Sequence, residues 1–141
     1  MLMLTFLACA PPPLPAEDPL VPSITITWPP PESDVEGCET VAVTVENFTL
    51  VETPSTDENA PNEGHYHIYH PKGYTACYKP YCFVDLSGLE STTEPFLTAV
   101  LTYTDHTEIL DEEGDRTEDQ IAINFIPGDC TAATGDTGGD E

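Results

Sequence analysis

Thr40-Val41-Ala42-Val43-Thr44-Val45-Glu46 carries the pattern that decides the fold. Val41, Val43 and Val45 fall on every second position, with Thr44 and Glu46 between and after them. A period of two belongs to a strand, because successive Cβ atoms leave a pleated backbone on opposite faces. β-branched residues also suit extended backbone, where their stiff χ1 is accommodated. The segment runs on to Val51, with Phe48 continuing the inner face, so one face is expected to be buried.

The same period recurs on both sides of this stretch. Ser23–Trp28 (Ser-Ile-Thr-Ile-Thr-Trp) alternates until Pro29-Pro30-Pro31 stops it. Gly64–Tyr69 sends Tyr66 and Ile68 to one face and leaves His65 and His67 on the other, and Pro71-Lys72-Gly73 suits a reversal after it. Cys82–Leu86 is short. Pro95–Thr104 aligns Leu97, Ala99, Leu101 and Tyr103, and Gln120–Ile126 aligns Ile121, Ile123 and Phe125. No segment holds a 3.6-residue apolar period over a helix length. The pattern predicts an all-β domain over residues 23–130, an antiparallel immunoglobulin-like β-sandwich of about seven strands. A small barrel is the alternative.

A chain of 141 residues is long enough for one such core and too short for two. Its charge is lopsided: 26 Asp and Glu face only Lys72, Lys79 and Arg116, for a formal net charge of −23. Such a surface repels nucleic acid and anionic headgroups, so neither is an expected partner, and it attracts cations. No run approaches the roughly 20 apolar residues of a membrane helix.

The ends differ from the middle. Phe6-Leu7-Ala8-Cys9 resembles a bacterial lipobox, in which apolar and small residues precede a cysteine that becomes lipidated. Residues 1–9 are expected to be a signal-like segment of a lipoprotein, with a start further upstream because the stretch is short and lacks a basic residue. Residues 10–22 hold six prolines and read as a stiff, extended linker. Residues 131–141 contain no large apolar side chain and read as a disordered acidic tail. Contact with a membrane is expected only through a lipid on Cys9. The expected location is extracytoplasmic, either at the cell surface or secreted.

Setting Cys9 aside leaves Cys38, Cys77, Cys82 and Cys130, with no zinc-ribbon spacing among them. An even number in a small exported chain favours two disulfides. In a sandwich of this topology Cys38 and Cys130 fall at the same end, and Cys77 and Cys82 flank a short loop. These pairings are expected, although four cysteines allow two other connectivities.

Three motifs occur in order: Gly64-His65-Tyr66-His67-Ile68-Tyr69, Asp85-Leu86-Ser87-Gly88-Leu89, and Ala99-Val100-Leu101 leading to Asp105-His106-Thr107. Together they resemble bacterial extracytoplasmic immunoglobulin-like domains, over roughly residues 23–127. The chain departs from that pattern after the Leu-Ser-Gly-Leu corner, where it carries Thr93-Glu94-Pro95. The resemblance implies the fold and the compartment; members of this kind are mostly without an assigned function.

His65 and His67, two apart on a strand, share a face. His106 follows the strand expected to lie beside them. A His-x-His pair with a third imidazole suits copper or zinc, so His65, His67 and His106 form a candidate metal site. Packing or turn-bonding histidines are the plain alternative. Gly64-His65-Tyr66-His67 also resembles the His-x-His strand of copper–zinc superoxide dismutase. That enzyme needs further imidazoles and an aspartate, and the remaining His70 and His106 do not match its spacing, so dismutase activity is not expected.

The acidic loop Asp111 to Asp119 lacks EF-hand spacing, which makes calcium a lesser candidate than a solvated loop. No Gly-x-Ser-x-Gly, phosphate-cradling loop or dinucleotide fingerprint occurs. The expectation is therefore a non-enzymatic binding or structural module of the cell envelope, with an unknown protein or envelope component as partner. A copper- or zinc-binding envelope protein is the alternative.

Overall fold

The alternation in the sequence is realised as strands in the computed structural model, which describes residues 20–52 and 59–130. The lipobox-like segment with Cys9, most of the 10–22 linker and the 131–141 tail lie outside the described residues. Ten strands follow in chain order: β1 (Ser23–Trp28), β2 (Asp34–Glu36), β3 (Cys38–Glu46), β4 (Thr49–Leu50), β5 (Glu63–His70), β6 (Gly73–Cys77), β7 (Tyr81–Asp85), β8 (Phe96–Thr102), β9 (Glu118–Ala122) and β10 (Asn124–Ile126). The described protein is all-β and mostly antiparallel. Among the described residues no helix is long and apolar enough to cross a membrane.

One sheet runs β1-β3-β7, antiparallel throughout. A larger five-stranded sheet runs β4-β5-β8-β9, with β6 also paired to β5. A third sheet is the parallel pair β10-β2, and β4 also runs parallel to the start of β5. The strands outnumber the seven or so expected because the short β2, β4 and β6 add to the count and because Gln120–Ile126 divides between two sheets. The first half of that segment pairs with β8, but beyond Ala122 the Asn124 amide donates to the Ser33 carbonyl and β10 aligns with β2. β2 and β3 are likewise separated at Gly37, whose φ of 63° bends the chain. A Cβ at Gly37 would lie 2.6 Å from the Asp129 carbonyl oxygen, so glycine also admits the close approach of the C-terminal segment.

The core lies between the two larger sheets. Ile24, Ile26, Val41, Val43 and Val84 come from one side; Tyr66, Ile68, Leu97, Ala99, Leu101 and Ile121 come from the other. Full burial of such side chains stabilises by about 1.5–3 kcal/mol each. Tyr66 is fully buried, and its hydroxyl donates to the Lys79 carbonyl at 2.8 Å. Burial pushes its phenol pKa well above the ordinary value. Cys38 is bonded to Cys130 and Cys77 to Cys82, the pairs expected from the sequence. Two disulfides in so small a domain fit folding in an oxidising, extracytoplasmic compartment.

Candidate metal centre

β5 sits in the middle of the larger sheet and sends alternate side chains to opposite faces. Tyr66 and Ile68 enter the core, while His65, His67 and Tyr69 stand on the outer face. On the neighbouring β8, Thr102 lies opposite His65 and Val100 opposite His67. On the other side β6 places Ala76 opposite His67 and Tyr74 opposite Tyr69. The small Ala76 leaves the diagonal neighbours Tyr74 and Tyr78 to reach the imidazoles. The Tyr74 ring stacks on His67 with centroids 4.5 Å apart, and Tyr78 lies over His65 at 4.9 Å. These contacts leave His65 and His67 only 2 % and 4 % exposed on what would otherwise be the wet face of a sheet.

The third imidazole arrives from the turn after β8. The His106 amide donates to the Tyr103 carbonyl at 3.0 Å, and the Tyr103 amide donates to the Thr107 carbonyl at 2.8 Å. Asp105 accepts from the Thr107 amide at 2.9 Å and closes the turn. His106 takes a φ of 68°, a left-handed conformation that favours glycine or asparagine. That choice costs about 1 kcal/mol, and strain of this kind gathers where a side chain must be aimed. The ring is aimed back over β5.

Gly64 supports the arrangement from below. A Cβ there would collide with the Thr102 carbonyl oxygen and sit 3.0 Å from the Tyr103 Cα. Glycine therefore lets the strand bearing His65 run close to the strand that leads into the His106 turn. The Thr102 hydroxyl donates to the His65 carbonyl at 3.3 Å and adds a second tie.

The result is a triangle of ring nitrogens. His65 Nε2 and His67 Nε2 are 3.1 Å apart, His65 Nε2 and His106 Nδ1 3.3 Å, and His67 Nε2 and His106 Nδ1 3.0 Å. A neutral imidazole nitrogen is either an N–H donor or a lone-pair acceptor, never both. Of any three such nitrogens two must therefore be alike, so one side of the triangle always sets like against like. Charging the rings makes matters worse. Burial, then the neighbouring His67 and His106, pull the His65 pKa from 6.5 down to about 4. Burial and His106 lower that of His67 as well, against a partial pull from Glu108. As hydrogen-bonding groups alone the three are frustrated. As three lone pairs sharing one focus they are a ligand set, and the group can hold a metal ion.

The sequence reading named these three residues, and the structure brings all three together. His70, the fourth histidine, lies near the far end of β5, where its Nε2 is 3.2 Å from the Thr75 hydroxyl. The two tyrosines that pack on the imidazoles were not anticipated. The signal for them is the alternation of Tyr74, Ala76 and Tyr78, which follows the Pro71-Lys72-Gly73 turn as β6 begins. Glu108 was also missed. It accepts from the Tyr69 hydroxyl at 3.3 Å and pairs with Arg116 at 3.5 Å, beside the cluster.

Two other acidic groupings behave differently. Cys38, Asp85 and Cys130 converge, but both sulfurs are committed to their disulfide, and Asp85 accepts from the Ser87 amide and hydroxyl at 2.8 and 2.6 Å. In the 111–119 loop the Asp111 carboxylate caps the Glu113 and Asp115 amides at 3.0 and 2.9 Å, and Arg116 pairs with Glu118 at 2.8 Å. Among the described residues these acids do not converge as the histidines do. No protein-family model, curated protein or solved structure matches the chain.

Proposed function

We propose that this protein is a transition-metal-binding module of an exported immunoglobulin-like domain, with His65 Nε2, His67 Nε2 and His106 Nδ1 as the ligands. The observation that carries the reading is the near-equilateral triangle of ring nitrogens, 3.0 to 3.3 Å on a side. A tetrahedral ion bound at about 2.0–2.1 Å needs its nitrogen ligands about 3.3 Å from one another. An ion placed over this triangle at that bond length sits about 1 Å out of its plane. A tetragonal Cu(II) holding three imidazoles in its square would need one pair about 4 Å apart. The arrangement therefore favours zinc over Cu(II), and among copper states it favours the softer-geometry Cu(I). The net charge of −23 helps by raising the local concentration of cations.

The wider reading follows from the sequence. A lipid on Cys9 and the proline-rich linker would hold the domain outside a membrane, and the role is holding metal or binding an envelope component rather than catalysis. An exposed aromatic row on the β1-β3-β7 sheet favours a partner surface as well. Trp28, Tyr81 and Phe83 are all more than half exposed, and both Trp28 and Tyr81 are register partners of Ala42.

Metal titration of the full chain tests the proposal. Saturable uptake of one zinc per chain at micromolar metal, lost in His65→Ala and in His67→Ala, is expected. Uptake that is absent, or unchanged in both variants, overturns it.

A further inference from the structure

We infer that a metal held by His65, His67 and His106 keeps its fourth coordination position open to a small exchangeable anion. The inference rests on the metal-binding reading and goes further, by naming what else the ion would hold.

Three observations carry it. The first is ligand number. Among the described residues no fourth His, Cys, Asp or Glu joins the trio. Structural zinc sites are closed by four protein ligands, whereas sites with three leave a position for water or another small ligand. The second is access. His65 and His67 are buried, but His106 is exposed on its turn, and Tyr74, whose ring stacks on His67, is 56 % exposed as a residue. The ligand set therefore reaches the surface at one side, where a small ligand has a path. The third is charge. Three neutral imidazoles do nothing to offset a divalent ion, and two of them are almost dry. Glu108, the carboxylate that acts on His67, is engaged by the Tyr69 hydroxyl and Arg116. An uncompensated dication in a partly desolvated site is costly, and an anion bound directly to it is the cheapest correction. Hydroxide, a halide or a pseudohalide meets that need; a bulky ligand would have to pass the rings of Tyr74 and Tyr78.

Cobalt(II) in place of zinc reports both the geometry and the exchange. The full chain loaded with Co(II) is expected to show the intense visible d–d bands of a four-coordinate ion. Azide is expected to shift those bands saturably at millimolar concentration. His106→Gly, a change on an exposed turn that leaves β5 intact, should lose the bands. Bands that depend on the histidines but do not move with azide would overturn the open position and leave the metal site standing. Bands that appear only as protein concentration rises would also overturn it, since a second copy would then fill the position. If Co(II) produces no histidine-dependent bands, the metal site and this inference fall together.

Discussion

His67 Nε2 and His106 Nδ1 stand 3.0 Å apart although 39 residues separate them in the chain. That is the separation of an N–H···N hydrogen bond between neutral rings, or of two ligands on one ion. The approach requires the β5–β8 pairing, the turn after β8 and the left-handed backbone of His106 to act together.

That left-handed backbone separates the turn's stability from its use. In His106→Gly the φ of 68° no longer strains the chain, while glycine adds freedom to the unfolded state; each effect is worth about 1 kcal/mol and they oppose. The apo variant is expected to melt close to the wild type. Saturating zinc should raise the wild-type stability, by about 2.7 kcal/mol at a hundredfold excess over Kd, and leave the variant unmoved. Thermal melts of both proteins with and without zinc check this.

Acid should weaken the metal-free protein. The His65 pKa is lowered in the folded state from 6.5 to about 4, and that of His67 is lowered too. Between those values the unfolded chain binds more protons, so the contribution is intact above pH 6.5 and is lost as pH falls toward 4. For His65 the full effect is at most about 3 kcal/mol. Denaturant unfolding at a series of pH values should show the decline in the wild type and a flatter profile in His65→Gln. Equal slopes in the two proteins would contradict it.

Gly64→Ala tests the close approach beneath the site. The added methyl meets the Thr102 carbonyl, so β5 and β8 must part locally. Overpacking of this kind costs about 1–3 kcal/mol. Because the same displacement moves His65 away from His106, zinc affinity should fall along with stability. Gly73→Ala is a useful contrast: a methyl there meets nothing, and its cost comes only from a φ of 131°. That variant should lose stability without losing affinity.

The disulfides should contribute unequally. Cys38–Cys130 closes a separation of 92 residues and Cys77–Cys82 one of 5. On chain entropy alone the long closure is worth about 4.6 kcal/mol and the short one about 2 kcal/mol. Paired alanine replacements, compared by denaturant midpoint, should rank in that order. The reverse ranking would mean that the short bridge acts by holding Tyr78 over His65 rather than through the unfolded chain.

Much of this was legible in the residues, and the parts that were not have a common cause. Val41 and Val43, Tyr66 and Ile68, Leu97, Ala99 and Leu101, and Ile121 announce their inward faces by alternation, and the structure buries them. His65 and His67 could be placed on one face by the same rule. His106 could be joined to them once β5 and β8 were expected as neighbours. What alternation does not encode is the partner of a strand. Asn124–Ile126 continues the pattern of Gln120–Ile123 without a break, yet pairs with β2 because the Ser33 carbonyl takes its amide. Asp34–Glu36 is too short, and too acidic, to read as a strand; only Val35, fully buried, betrays it. Tyr74 and Tyr78 look like ordinary exposed tyrosines until β6 sets them beside the imidazoles.

One consequence follows from β5 alone. The strand that builds the core with Tyr66 and Ile68 is the same strand that builds the cluster with His65 and His67. A slip by a single position would drive two imidazoles into hydrocarbon and turn a phenol and an isoleucine out to water. Misalignment is thus penalised on both faces at once, and the side chains gathered for chemistry also proofread the weave of the sheet.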